Sequence, residues 1–341
     1  MASQKVTVLG AGAWGVVLAA HLSRKGHSVV AWDYAPQVIG ALRETRSHPK
    51  LPAFEVPPEV RLTADLGEAM KSCAPHCVVV AVPSHGMRAL VERCRPLEAR
   101  IPDVAPPWVL CSKGIEEETL LPMTGVVQSV RGEAWRGRLA ALSGPSFAAE
   151  VAAAKPTTVC VASHDPGLAR YVQSLFMTDF FRIYTQDDVL GVELGGALKN
   201  VIAIAAGACD GMDLGDNARA ALITRGLAEI VRLGVAMGAR PETFAGLAGL
   251  GDLILTCNGA LSRNHQFGVL LARGRTCAEA LAEIGMVVEG VRTARSAKAL
   301  SERHGVEMPI TREVSAVINE GKSPAKAVRD LMRREARPER D

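Results

Sequence analysis

Hydrophobic positions in the first half of the chain come as short unbroken runs separated by amphipathic stretches. "KVTVLG" (5–10) is a β-branched run that stops at glycine, "WGVVLAAHLSRKG" (14–26) has helical spacing, and "HSVVAWD" (27–33) is strand-like again. "HCVVVAVP" (76–83), "PPWVLCSKG" (106–114), "RLAALSGPS" (138–146), "TTVCVAS" (157–163) and "FRIYT" (181–185) continue the series. Runs that are apolar at nearly every position, not every second one, predict strands buried on both faces. Their alternation with helical segments predicts a doubly wound α/β domain. Beyond Thr185 the texture changes. From Asp188 to about Met332 the chain is rich in Ala, Leu, Gly and Glu with helical periodicity, and no run reads as a strand. The pattern therefore predicts an α/β domain over 1–187, an all-α domain over 188–332, and a flexible tail, "RREARPERD", over 333–341.

One helical stretch breaks its own pattern. "GVELGGALKNVIAIAAGA" (191–208) is small and aliphatic except for Glu193, the ammonium of Lys199 and the amide of Asn200. A membrane span, a snorkelling lysine and a catalytic lysine are the three accounts of it. Only nine apolar residues, Val201 to Cys209, separate Asn200 from Asp210, against the roughly 18 a span requires, so no membrane span is expected. The N-terminal apolar run stops in glycines with no cleavage site, so no signal peptide is expected either.

Composition narrows the classes without choosing among them. The chain has 341 residues, 48% hydrophobic and 22% charged, which suits globular folding and not disorder. With 39 basic against 36 acidic residues the net charge is +3, too small a field to call for nucleic acid. The eight cysteines form no CxxC pair; Cys73 and Cys77 stand four apart with no second pair to complete a metal site. Small reduced cysteines and a cytoplasmic location are the expectation, with no metal.

The chemistry lies in a few clusters. "GAGAWG" sets Gly10, Gly12 and Gly15 in dinucleotide spacing between a strand and a helix, and the next strand ends in Asp33, 18 residues after Gly15. The glycines permit a tight turn and close approach of a pyrophosphate to a helix N-terminus, and the acid suits ribose hydroxyls while repelling a 2′-phosphate. Lys113 follows a buried strand directly, at the sheet edge where ligands bind. "SGPSF" (143–147) can aim backbone N–H groups and a hydroxyl at an anion. Asp252 precedes an apolar helix, where a plain N-cap is the alternative role. Ser262, Arg263 and Asn264 are a trio suited to phosphate oxygens and hydroxyls. Desolvation lowers a lysine's pKa and makes it a competent general acid/base, a role open to Lys199. Together these predict a small, anionic, oxygen-rich substrate.

In the order "VLGAGAWG", "AVPSHGMR", "SKGIEEETL", "LSGPSFAAEVA", "GVELGGALKNVIAIAAG", "GLGDLILTC", "SRNHQFG" and "VVEGVRTA", the chain resembles the bacterial NAD(P)-dependent sn-glycerol-3-phosphate dehydrogenase family up to about residue 330. The resemblance implies a Rossmann-like domain followed by a helical substrate domain. It also implies reversible reduction of dihydroxyacetone phosphate to sn-glycerol 3-phosphate, supplying glycerophospholipid synthesis. By resemblance Lys199 is the proton donor and acceptor, and Lys113 serves cofactor and substrate. Gly144, Ser146, Asp252, Ser262, Arg263 and Asn264 look like substrate residues on the same resemblance, and Asn200, beside the lysine, is placed with them to hold the lysine and the substrate hydroxyl. The resemblance also places Trp14, Ala148, Arg263, Val287 and Glu289 with the glycines and Asp33 around the dinucleotide, and Tyr34, next to Asp33, is expected to lie beside it.

Two departures bear on the cofactor. Ala13 stands where relatives carry a small hydroxyl, and Tyr34 stands where many carry a basic residue. With Asp33 adjacent, NAD is expected over NADP, and Arg43, Arg46 and Lys50 are the cations that could restore a charge. The rival enzyme reading is a ketopantoate- or hydroxyacid-type reductase, against which "SRNHQFG" argues. A non-catalytic dinucleotide sensor has no need of the lysine and phosphate set. A homodimer is the expected assembly on frequency alone, since no interface is legible.

Overall fold

The structure, a computed structural model, describes residues 2–71, 76–98, 105–336 and 338–339. Cys73 lies outside the described residues, as do positions 337, 340 and 341 of the expected tail. The chain forms two compact units, one of Met1–Glu116 with Leu121–Glu193, the other of Glu117–Leu120 with Leu194–Asp341.

The first unit is built on ten strands. They are β1 (Lys5–Leu9), β2 (Ser28–Trp32), β3 (Ser47–His48), β4 (Leu51–Glu55), β5 (Arg61–Thr63), β6 (Cys77–Val80), β7 (Trp108–Leu110), β8 (Leu139–Ser143), β9 (Thr157–Ser163) and β10 (Phe181–Gln186). Eight form one sheet in the order β10-β9-β8-β7-β6-β1-β2-β5, parallel throughout except between β8 and β9. The unbroken apolar runs have the expected cause. Val29 and Ala31 join one hydrophobic cluster with the helices Ala13–Arg24 and Pro166–Phe176, while Val30 and Trp32 join another with Met87–Glu98 and Met123–Arg131. β2 thus buries both faces, whereas the edge strand β10 alternates, its Arg182 and Tyr184 exposed. Because β1, β2, β6, β7 and β8 run the same way, their carboxyl ends share one edge, where the segments at Gly10, Asp33, Ala81, Lys113 and Gly144 emerge.

The hairpin of β3 and β4 and the short edge strand β5 were not expected from the sequence. Two, five and three residues long, they carry too few apolar positions for a period to register.

The second unit is helical. The helix Val189–Gly211 begins in the first unit and supplies the second with a spine. Its small residues let other backbones approach. A Cβ on Gly195 would lie 2.7 Å from the Ala248 carbonyl oxygen, and one on Gly207 would lie 1.9 Å from that of His265. The carboxylate of Glu229 accepts from the Ile310 and Thr311 amides at 2.6 and 3.0 Å, satisfying the first turn of Pro309–Asn319.

Length does not exclude a membrane span, contrary to the expectation from the nine residues between Asn200 and Asp210. The helix Val189–Gly211 runs 23 residues, with a mean hydropathy of 1.6 over its most apolar 18, so length and composition alone would let it cross. Glu193, Lys199 and Asn200 interrupt the run without lowering its average enough to exclude it. Packing accounts for the apolarity, since 83% of that window is buried inside the fold.

Candidate active site

In the first unit the glycine turn leaves β1 and enters the helix Ala13–Arg24. Gly10 has φ +107°, a left-handed backbone, and a Cβ there would lie 2.8 Å from the backbone of Ala81. A Cβ on Gly15 would lie 1.8 Å from the Gly10 carbonyl oxygen, so the helix can sit on the turn only without a side chain there. Gly12, the N-cap, has no side-chain cap and nothing within 4 Å of where its Cβ would be. Asp33, at the end of β2, is buried and not a solvated strand end. One carboxylate oxygen accepts from Ala11 N at 2.9 Å and the other from Ala35 N at 3.0 Å, tying the end of β2 to the turn. Tyr34 follows with 72% of its surface exposed. Trp14 packs against the core beneath the turn.

Along the same edge, Lys113 Nζ donates to the Gly144 carbonyl at 3.2 Å, Ser146 Oγ donates to the same oxygen at 3.0 Å, and Ser112 Oγ donates to Val82 O at 2.5 Å. Three loops are thereby tied together. Gly144 has φ +137°, and a Cβ there would lie 2.9 Å from Val159 Cα. Ser143 Oγ is buried there and has no hydrogen-bond partner among the described residues. Ala148 opens the short helix Ala148–Ala152 next to this turn.

In the second unit Lys199 is held from two sides. Its Nζ donates to Asp252 Oδ1 at 2.5 Å and to Thr256 Oγ1 at 2.7 Å, and the two charged side chains are 8% and 1% exposed. Thr256 Oγ1 in turn donates to the Asp252 carbonyl at 2.6 Å, so its lone pairs face the ammonium. The geometry follows from packing. Gly195 seats its helix against Ala248, and one turn further along each partner Lys199 meets Asp252. Leu247–Gly251 is a π-helical turn running into Asp252–Asn258, an irregularity frequent at functional sites. Asp252 is therefore an ion-pair partner and not the helix N-cap, a place taken by Gly251.

A second polar knot sits on the next face of the spine. Asn264 Nδ2 donates to Asn200 Oδ1 and Gly290 N donates to Asn264 Oδ1, both at 2.9 Å. Arg263 Nη1 donates to Val287 O at 2.6 Å, and Glu289 adds a nearby negative charge. Burial pushes the Arg263 guanidinium down from its ordinary value, and Glu289 opposes that shift. Ser262 caps Arg263–Ala272, its Oγ accepting from His265 N at 3.2 Å. Ser262, Arg263 and Asn264 thus stand at the helix end whose dipole favours anions.

The description of a family of NAD-dependent glycerol-3-phosphate dehydrogenases fits both parts of the chain, its N-terminal model matching residues 5–169 and its C-terminal model residues 188–329. The chain belongs to this family. It is 47% identical over 338 residues to glycerol-3-phosphate dehydrogenase (NAD(P)+) of Citrifermentans bemidjiense, covering 99% of each chain. It is 49% identical over 341 residues to that of Geobacter sulfurreducens, again with 99% of each covered. The crystal structure of glycerol-3-phosphate dehydrogenase from Coxiella burnetii superposes with a TM-score of 0.91 at 36% identity, over 97% of this chain and 99% of that one. The family uses NAD or NADP.

The first unit fits such a dinucleotide on its own geometry. Gly10 makes the tight turn, Gly15 allows close helix packing, and the uncapped helix start at Gly12 is open to a pyrophosphate. Two of the second unit's polar contacts were missed in the sequence. Thr256 sits in "LILTC" like any helical threonine, and Gly290 in "VVEGVRT" shows nothing locally to mark its amide. Glu193, six residues before Lys199, turns elsewhere. Its carboxylate accepts from Thr124 N at 2.8 Å and from Thr124 Oγ1, at the first turn of Met123–Arg131.

Proposed function

We propose that Lys199 is the proton donor in a reversible reduction of dihydroxyacetone phosphate to sn-glycerol 3-phosphate by this dehydrogenase. The observation that carries the reading is the buried ammonium held by Asp252 and Thr256. A bound nicotinamide dinucleotide supplies the hydride. The oxygen needs a proton, and Lys199 Nζ delivers it, while in the oxidation direction the neutral amine accepts it. Asp252 keeps the ammonium tolerable in a buried place and fixes its direction. Arg263, Ser262 and Asn264 bind the phosphate at the first turn of Arg263–Ala272, with Asn200 beside them, and Lys113, Gly144 and Ser146 contribute from the sheet edge. That binding energy orients the carbonyl for reaction.

Gly10, Gly12, Gly15 and Trp14 would hold the dinucleotide's pyrophosphate, Asp33 and Tyr34 its adenosine, and Lys113, Ala148, Arg263, Val287 and Glu289 the rest. The reading favours NAD over NADP. The Asp33 carboxylate repels a 2′-phosphate, and two of the cations that could offset it are committed elsewhere. Arg43 donates from Nε and Nη2 to Leu62 O at 3.1 and 2.6 Å, and Arg46 donates from Nη1 to Val60 O at 2.9 Å. On this reading residues 1–187 bind the dinucleotide, 188–332 bind the substrate and 333–341 are a tail. The enzyme works in the cytoplasm as a homodimer, with no membrane span, and supplies glycerophospholipid synthesis.

Steady-state oxidation of NADH and NADPH with dihydroxyacetone phosphate, and with 2-keto acids in its place, tests the reading. Turnover on dihydroxyacetone phosphate with a lower dissociation constant for NADH than for NADPH is expected. Turnover confined to keto acids, or tighter NADPH binding, would contradict it.

A further inference from the structure

A backbone N–H can only donate, and that fact propagates through three residues of the second unit. Gly290 is the second residue of Glu289–Arg303, in the first turn, where amides have no partner one turn back. Its N–H donates to Asn264, so the Asn264 atom facing it is the oxygen. The Asn264 amide then turns its NH2 toward Asn200 and donates to Oδ1 at 2.9 Å. Asn200 must meet that donor with its own oxygen, which leaves its NH2 as the end not used in the chain. That NH2 makes one long bond of 3.4 Å, to the carbonyl of Gly196, and a second proton remains. Only glycine allows the arrangement at 290. A Cβ there would lie 2.6 Å from Asn200 O and 2.7 Å from Asn264 Oδ1.

We propose that the Gly290 amide, acting through Asn264, fixes the polarity of Asn200 so that it offers the substrate a hydrogen-bond donor and never an acceptor. Gly290 and the facing side of Asn264 are then positioning elements for a substrate whose oxygens carry only lone pairs, such as a phosphate dianion or a ketone. The inference rests on the placement of Asn200 in the substrate site.

Asn264→Asp tests it. The ionised carboxylate still accepts from Gly290 N but has no proton for Asn200, which turns its NH2 toward the new charge and shows its oxygen to the substrate. At about pH 8, kcat/KM for dihydroxyacetone phosphate is expected to fall about 10- to 100-fold with the NADH dissociation constant unchanged. As pH is lowered the carboxyl protonates and can again donate to Asn200 Oδ1, so the variant should regain part of the loss relative to wild type. Asn264→Leu, which neither accepts nor donates, should show the loss without the recovery. On the relay, Asn264→Asp costs little more in an Asn200→Ala background, whereas an Asn264 that acts on the phosphate directly, or only structurally, brings its full loss there as well. That full loss, or wild-type kcat/KM for Asn264→Asp at about pH 8, overturns the proposal.

Asn200→Asp reaches the same question should the Asn264 variants fail to fold. It keeps an acceptor toward Asn264 Nδ2 and presents a carboxylate where the wild type presents NH2. A loss at about pH 8 that recedes on acidification supports Asn200 as a donor to the substrate, the end point of the relay, and wild-type kcat/KM overturns the proposal. Asn200→Ala separates the two claims. No loss there removes Asn200 from the substrate site, whereas a loss there beside an unimpaired Asn264→Asp removes the relay alone.

Discussion

A buried ammonium needs a countercharge, and Asp252 provides it at 2.5 Å. Thr256 adds directionality: because its proton goes to the Asp252 carbonyl, its oxygen is left to accept from Lys199. Thr256→Val removes that acceptor at nearly constant volume. On the proposed role for Lys199, kcat should fall roughly 10-fold, the worth of one charge-assisted hydrogen bond, with the NADH dissociation constant unchanged. An unchanged kcat would show that the hydroxyl does not direct the ammonium. Lys199 was legible in the sequence because an ammonium amid small and aliphatic helical residues is exceptional. Thr256 was not, because a helical threonine bonded to the carbonyl one turn back is ordinary.

At the scale of elements, Glu193 links the start of the long helix to the first turn of Met123–Arg131. Burial pushes its carboxyl up from the ordinary 4.5 to about 7, against the downward pull of hydrogen bonds from Thr124 and Met123. Between those two values the folded protein holds a proton that the unfolded chain has released, so stability falls as pH rises through the window. The contribution is on the order of 3 kcal/mol across it. Glu193→Gln cannot titrate. Its melting temperature should therefore decline less than that of the wild type between about pH 5 and pH 7, and equal slopes would contradict the buried, protonated state. The sequence showed Glu193 near Lys199 in number but not its partner, since Thr124 lies 69 positions away. Likewise the small residues of the long helix signalled close approach, yet only the fold shows that Gly195 meets Ala248 and Gly207 meets His265.

For the whole molecule, the division into a doubly wound sheet and a helical unit was written in the hydrophobic pattern. Strands buried on both faces leave unbroken apolar runs, so β1, β2 and β6 to β9 could be read, and β10 by its alternation of buried and exposed residues. The edge strand β5 and the hairpin of β3 and β4 could not, having too little buried surface to leave a period. The glycine turn was legible for a similar reason, because tight geometry admits few residue types. Contacts between distant segments, such as the chain from Gly290 through Asn264 to Asn200, depend on the fold and leave no local mark. The role assigned to Lys199 joins all three scales, and Lys199→Ala tests it most directly. Steady-state NADH oxidation with dihydroxyacetone phosphate, read beside the NADH dissociation constant of the same preparation, is the measurement. The account predicts a kcat lower by about 100-fold or more with NADH binding intact, the signature of a lost proton donor. A kcat within a few-fold of wild type would contradict it.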